Sequence, residues 1–123
     1  MKNRLLLAVA ATGEAVTGLA LLVYPAIVVK LLFGADVVGV AVITSQFAGI
    51  ALIALAVACW PVIAAWRAMC GMLTYSSLAT LGLLYLAFSR TWNGPLLWPA
   101  AALHVALTLL LARALLKPKS GSM

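Results

Sequence analysis

Glu14 interrupts an otherwise apolar run from Leu5 to Val23, and His104, the single histidine, interrupts another from Leu96 to Leu116. A carboxyl and an imidazole can share a proton, hold the polar head of a ligand, or tie two helices together. At ~1.5 Å per helical residue, Glu14 lies ~14 Å from the start of its run and His104 ~12 Å from the start of its own. If the two runs point in opposite directions, these depths differ by about one helical turn. Gln46 in a further run, and Ser76, Ser77 and Thr80 in another, fall in the same layer. A buried polar centre of Glu14, Gln46, His104, Ser76, Ser77 and Thr80 is therefore expected, with a contribution from every long run.

Other chemistries lack their residues. The chain has no Walker loop, no GxSxG and no HExxH, and one mid-run carboxylate cannot make an acid/base pair. The second acid, Asp36, falls just before a run and is expected to cap its helix. No catalytic residue and no enzyme activity follow from this pattern. Haem held by two histidines would need a second histidine, and Met69 and Met72 differ in depth from His104. No metal site is expected; His104 reads as a hydrogen-bonded packing residue, and Tyr75 and Tyr85 read as packing groups. Cys59 and Cys70 match neither a metal spacing nor CxxC, and a buried cysteine behaves as a small hydrophobe. Two readings of the centre stand: a proton-responsive or ligand-binding site, with a quinone or lipid as the occupant, or a neutral lock holding the bundle or a partner subunit.

Composition decides what solvent these runs meet. Of 123 residues, 67% are apolar and 8% charged, with a mean hydropathy of +1.21. Soluble domains carry ~25% charged residues, and a small one has proportionally more surface to cover. Lipid is the solvent that suits this chain. A spanning helix needs ~20 mainly apolar residues, and four runs qualify, about 5–23, 37–59, 68–88 and 96–116. The expected fold is all-α: a single domain over 1–119, a bundle of four transmembrane helices, with a disordered tail at 120–123. Met1 to Ala11 mimics the charged and apolar regions of a signal peptide, but Glu14 interrupts the place of cleavage and the run continues, so an uncleaved first helix is expected. Between the first two spans, Val28 to Phe33 is too apolar for a loop and too short to span. It is expected to be an interfacial helix closed by Gly34, with Lys30 reaching for headgroups.

The net charge of +6 comes from basic residues scattered singly near the ends of runs, which does not make the stripe that nucleic acid requires. Four spans place Lys2, Arg4, Arg67, Arg113, Lys117 and Lys119 on one side, and Lys30 and Arg90 on the other. Six against two puts both termini in the cytoplasm by the positive-inside rule. Trp60 and Trp66 then mark one interface, and Trp92 and Trp98 the other. Small residues recur at helical spacing: Ala41, Ser45 and Gly49; Ala100, His104, Thr108 and Ala112; Ala10, Thr17 and Gly18 around Glu14. Such stripes allow close helix approach in lipid, so the polar faces are expected to point inward.

The pattern Gly13-Glu14-Ala15…Gly18-Leu19-Ala20…Pro25, followed by Lys30-Leu31-Leu32…Gly34, Ala48-Gly49-Ile50-Ala51 and Ala58-Cys59-Trp60-Pro61, resembles a group of small bacterial four-helix membrane proteins. The likeness continues through Gly71-Met72-Leu73-Thr74-Tyr75 and Leu97-Trp98-Pro99-Ala100…His104. The layout, with a surface helix after the first span, is similar to the DoxX-like group. These resemblances imply a bacterial inner-membrane protein acting as an accessory subunit of a larger membrane complex or as a homo-oligomer. Glu14 on the first helix also resembles the membrane-embedded carboxylate of the small multidrug resistance family, which implies proton-coupled export of lipophilic cations. The chain departs from that family at Gly71 to Ser76, where a tryptophan-containing signature is expected, and in having His104 and the surface helix.

Overall fold

In lipid the backbone has no water to satisfy its N–H and C=O groups, so each apolar run must bond internally, and helices do so. The computed structural model describes residues 2–61 and 65–117, which are helical with short connections. It contains α1 (Lys2–Val23), α2 (Pro25–Phe33), α3 (Val40–Ala58), α4 (Ala65–Ser89) and α5 (Leu97–Leu116). The long helices α1, α3, α4 and α5 are the four expected spans, each long and apolar enough to cross a membrane. The tail at 120–123 and Lys119 lie outside the described residues.

Boundaries shift where local chemistry differs from hydropathy. α4 begins at Ala65, so Trp66 and Arg67 belong to its first turn rather than to a connection. α3 begins at Val40 because Gly39, at φ +61°, turns the chain there, and no side chain caps it. Asp36 therefore does not cap α3: it lies four residues before Val40. Its carboxylate sits 3.0 Å from the Lys30 ammonium, both exposed. Lys30, expected to reach for headgroups, stays exposed beside this neighbour. Such an exposed pair contributes ~0–1 kcal/mol.

The short helix expected between the first two long ones is α2. It starts with Pro25 at its first position, where the missing N–H costs nothing, and Gly34 in the left-handed conformation closes it, returning its N–H to Lys30 O at 2.8 Å. The α4–α5 connection covers two of the remaining carbonyls, through Leu96 N to Leu31 O at 2.8 Å and Asn93 N to Phe33 O at 3.1 Å. Gly94 lies against Leu31 and Leu32 so closely that an added Cβ would collide with their backbone. Gly94→Ala is expected to force the connection off α2 and destabilise the bundle by about 1–3 kcal/mol. Thermal unfolding in detergent reads this beside Gly82→Ala, whose Cβ meets nothing within 4 Å; equal stability of the two variants would refute the docking.

Helix pairing is antiparallel. α1 packs most extensively on α3, and α4 on α5, while α1 also touches α2, α4 and α5. At the α1–α3 crossing Gly18 faces Gly49: a Cβ on Gly18 would stand 2.6 Å from Gly49 O, and one on Gly49 2.5 Å from Gly18 O. Backbone meets backbone there, as small residues permit in lipid. The core, including Leu7, Ala11, Cys59, Met72, Leu107 and Leu111, fills the half of the bundle that holds the start of α1 and the end of α5. Large apolar side chains such as Phe47, Val57, Leu81, Tyr85 and Phe88 are more than half exposed. In water this surface would drive association; in a bilayer it faces chains as apolar as itself. Two tryptophans stand at each end, Trp60 and Trp66 with the core half, and Trp92 and Trp98 with α2. Trp92 packs edge-on to Phe33 and Trp98 to Phe88.

Candidate functional site

Glu14 is buried on α1, with Ala10 and Gly18 buried one turn to either side. His104 Nε2 on α5 stands 3.6 Å from Glu14 Oε1, close enough for charge and dipole interaction and slightly beyond a formed hydrogen bond. The other ring nitrogen fixes the tautomer. His104 Nδ1 lies 2.8 Å from Ala100 O, and a carbonyl has no proton to give, so Nδ1–H must donate. Nε2 is then an acceptor while the ring is neutral, and it is buried with no hydrogen-bond partner. The proton that joins the pair comes either from the Glu14 carboxyl or from a doubly protonated ring; with one proton between them both forms carry no net charge. Tyr75 on α4 turns its ring edge toward His104, centroids 6.1 Å apart, and its phenol faces the Glu14 carboxyl.

The other expected members of the centre are placed differently. Gln46 is not beside Glu14: its amide donates to Leu22 O at 3.1 Å, eight residues and ~12 Å along α1. The Gly18–Gly49 contact sets this register. With Gly49 opposite Gly18 in an antiparallel pair, a residue three before Gly49 must lie about a turn beyond Gly18. There Gln46 satisfies one of the free carbonyls at the end of α1. Ser77 donates to Leu73 O in its own helix at 2.7 Å. Thr80 bonds Thr108 across α4 and α5 at 3.2 Å. Ser76 is fully buried, and its hydroxyl has no partner. Thr17, read as facing inward with Glu14, is exposed and donates to Gly13 O at 2.9 Å.

Between the polar pair and α2 lies an apolar cavity of about 710 Å³, within the ~300–1,000 Å³ usual for small-molecule sites. α1 contributes Val16, Thr17, Ala20 and Leu21; α2 contributes Ile27, Val28, Leu31 and Leu32. Tyr75, Ala79 and Leu83 of α4 face Ala100, Leu103 and His104 of α5. On each of α1, α4 and α5 the lining stops at the same inner end, with Val16, Tyr75 and His104. Glu14 sits two residues beyond Val16, behind this floor. The cavity left no mark in sequence, because its walls are ordinary apolar residues; Tyr75, read as packing, forms part of its floor.

Among the described residues no three His, Cys, Asp or Glu side chains come together as a metal site would require. Cys59 is buried in the core and Cys70 half-buried, both free thiols.

Four long apolar helices around a buried carboxyl–imidazole pair, with a cavity on one side of it, define a multi-pass helical membrane protein with an internal polar centre. No protein-family model matches the chain, and comparisons with curated proteins and with solved structures find no match.

Proposed function

We propose that this is a bacterial inner-membrane protein, both termini cytoplasmic, that binds a small, mainly apolar ligand and serves as an accessory subunit of a larger membrane complex. The cavity that ends on His104 and Tyr75, backed by Glu14, carries this reading. A quinone or a lipid has the required balance of apolar body and polar head. The charge pattern supports the orientation: among described residues Lys2, Arg4, Arg67, Arg113 and Lys117 belong to the core end, and Lys30 and Arg90 to the α2 end. Positive residues are retained on the cytoplasmic side.

A short-chain ubiquinone titrated into purified protein should bind saturably to the wild type. Ala79→Phe places a ring in the cavity and should weaken that binding at least tenfold while thermal unfolding in detergent stays near the wild-type value. Absence of saturable binding to the wild type, or equal binding to a stable Ala79→Phe variant, would count against a ligand cavity. Glu14, buried midway along α1, favours one further reading, a proton-coupled exporter of lipophilic cations. That reading requires a dimer and tetraphenylphosphonium binding that varies with pH and vanishes in Glu14→Gln.

A further inference from the structure

The cavity wall contains no acidic or basic group other than His104 and the two phenols of Tyr24 and Tyr75. His104 spends Nδ1–H on Ala100 O and turns Nε2 toward Glu14. Glu14 lies behind the floor rather than in the wall. Thr17 spends its hydroxyl proton on Gly13 O, and Tyr24 is at the outer mouth, 62% exposed. Tyr75 is therefore the polar group at the inner end that is left to meet a ligand: if its proton turns to Glu14, its oxygen still accepts.

Charge on a ligand at this depth would find no Asp, Glu, Lys or Arg in the cavity wall. The one carboxyl nearby, Glu14, lies behind the floor with the His104 ring toward it rather than in the wall. An unpaired charge in a water-poor interior is strongly disfavoured, whereas one neutral oxygen function on an apolar body matches both wall and floor. Access is one-sided as well. Leu7, Met72 and Leu111 are completely buried in the half beyond Glu14, and the cavity lies on the α2 side of that plug. From these observations we infer that the ligand is an uncharged amphiphile bearing a hydroxyl or carbonyl oxygen, which approaches from the leaflet of α2 and places that oxygen against Tyr75. The inference rests on the cavity reading above and narrows it to a chemical class.

Three probes of one shape, and a fourth that adds a charged substituent, separate the two. Diphenylmethane has no oxygen, benzhydrol has a hydroxyl, benzophenone has a carbonyl, and 4-(trimethylammoniomethyl)benzophenone adds a fixed positive charge. With purified protein, benzhydrol or benzophenone should bind at least fivefold tighter than diphenylmethane, and the cation at least tenfold weaker than benzophenone. Tyr75→Phe should bring the oxygenated probes down to diphenylmethane while leaving diphenylmethane itself unchanged. Irradiated benzophenone should label α2 and the α2-side turns of α4 and α5, and not Met72. Cation binding as tight as benzophenone, an oxygen preference that survives Tyr75→Phe, or labelling of Met72 would each overturn the inference and leave the cavity reading standing. Failure of all four probes to bind would overturn both.

Discussion

Glu14→Leu and His104→Leu each lower the stability of the bundle by about 2–3 kcal/mol, and the double variant recovers a large part of the loss. The expectation follows from what each single change leaves behind. Removing His104 takes the imidazole away from a carboxyl that is 5% exposed; removing Glu14 takes away the polar group 3.6 Å from a buried imidazole nitrogen that has no hydrogen bond to replace it. A buried polar group without its partner costs about 1–3 kcal/mol, and more when it holds charge. Replacing both leaves two leucines among Ala10, Gly18 and apolar neighbours, with no orphan. Unfolding by SDS from mixed micelles gives the four stabilities of the cycle. A coupling above about 1 kcal/mol marks two groups in direct interaction; strict additivity would mean that the 3.6 Å approach does not join them energetically. Glu14→Gln should fall between wild type and Glu14→Leu, because its amide N–H can still donate to Nε2.

The second large effect concerns the α1–α3 crossing. Gly49→Leu should separate α1 from α3 and cost about 3 kcal/mol, the upper part of the usual overpacking range. The Cβ alone would lie 2.5 Å from Gly18 O and 2.9 Å from Leu22 N, and backbone atoms cannot swing aside as a side chain can. Moving α3 outward would also pull Gln46 from Leu22 O. Gly13→Leu is the matched control on α1, since nothing lies within 4 Å of its Cβ position. Equal stability of Gly49→Leu and Gly13→Leu in the same SDS titration would remove the glycine contact as the organiser of this pair.

The two effects together bear on function. If the Glu14–His104 pair couples strongly, its proton is held by structure, and the cavity beside it is free to take a neutral molecule. If coupling is absent, Glu14 is available to a cation, which is the condition the exporter reading needs.

Much of the architecture was legible from composition and run length alone. Four apolar runs of spanning length had to become helices, because lipid offers the backbone no other partner, and each did so within a few residues of its expected bounds. Gly34 could be read as the stop of α2, since its left-handed backbone favours glycine. The shared depth of Glu14 and His104 followed from counting residues along two helices. Tertiary structure decided the rest. Whether two residues at one depth touch depends on how helices are ordered and rotated about their axes, and hydropathy is nearly blind to rotation when every face is apolar. The Gly18–Gly49 contact chose the register that moved Gln46 out of the centre to the end of α1. Gly39 delayed α3 and left Asp36 to Lys30 instead of a helix end. The cavity is the clearest case: it is a volume that all five helices leave unfilled, α3 through Leu52, and no single residue encodes a volume. Each helix determined its own length; only their packing determined what lies between them.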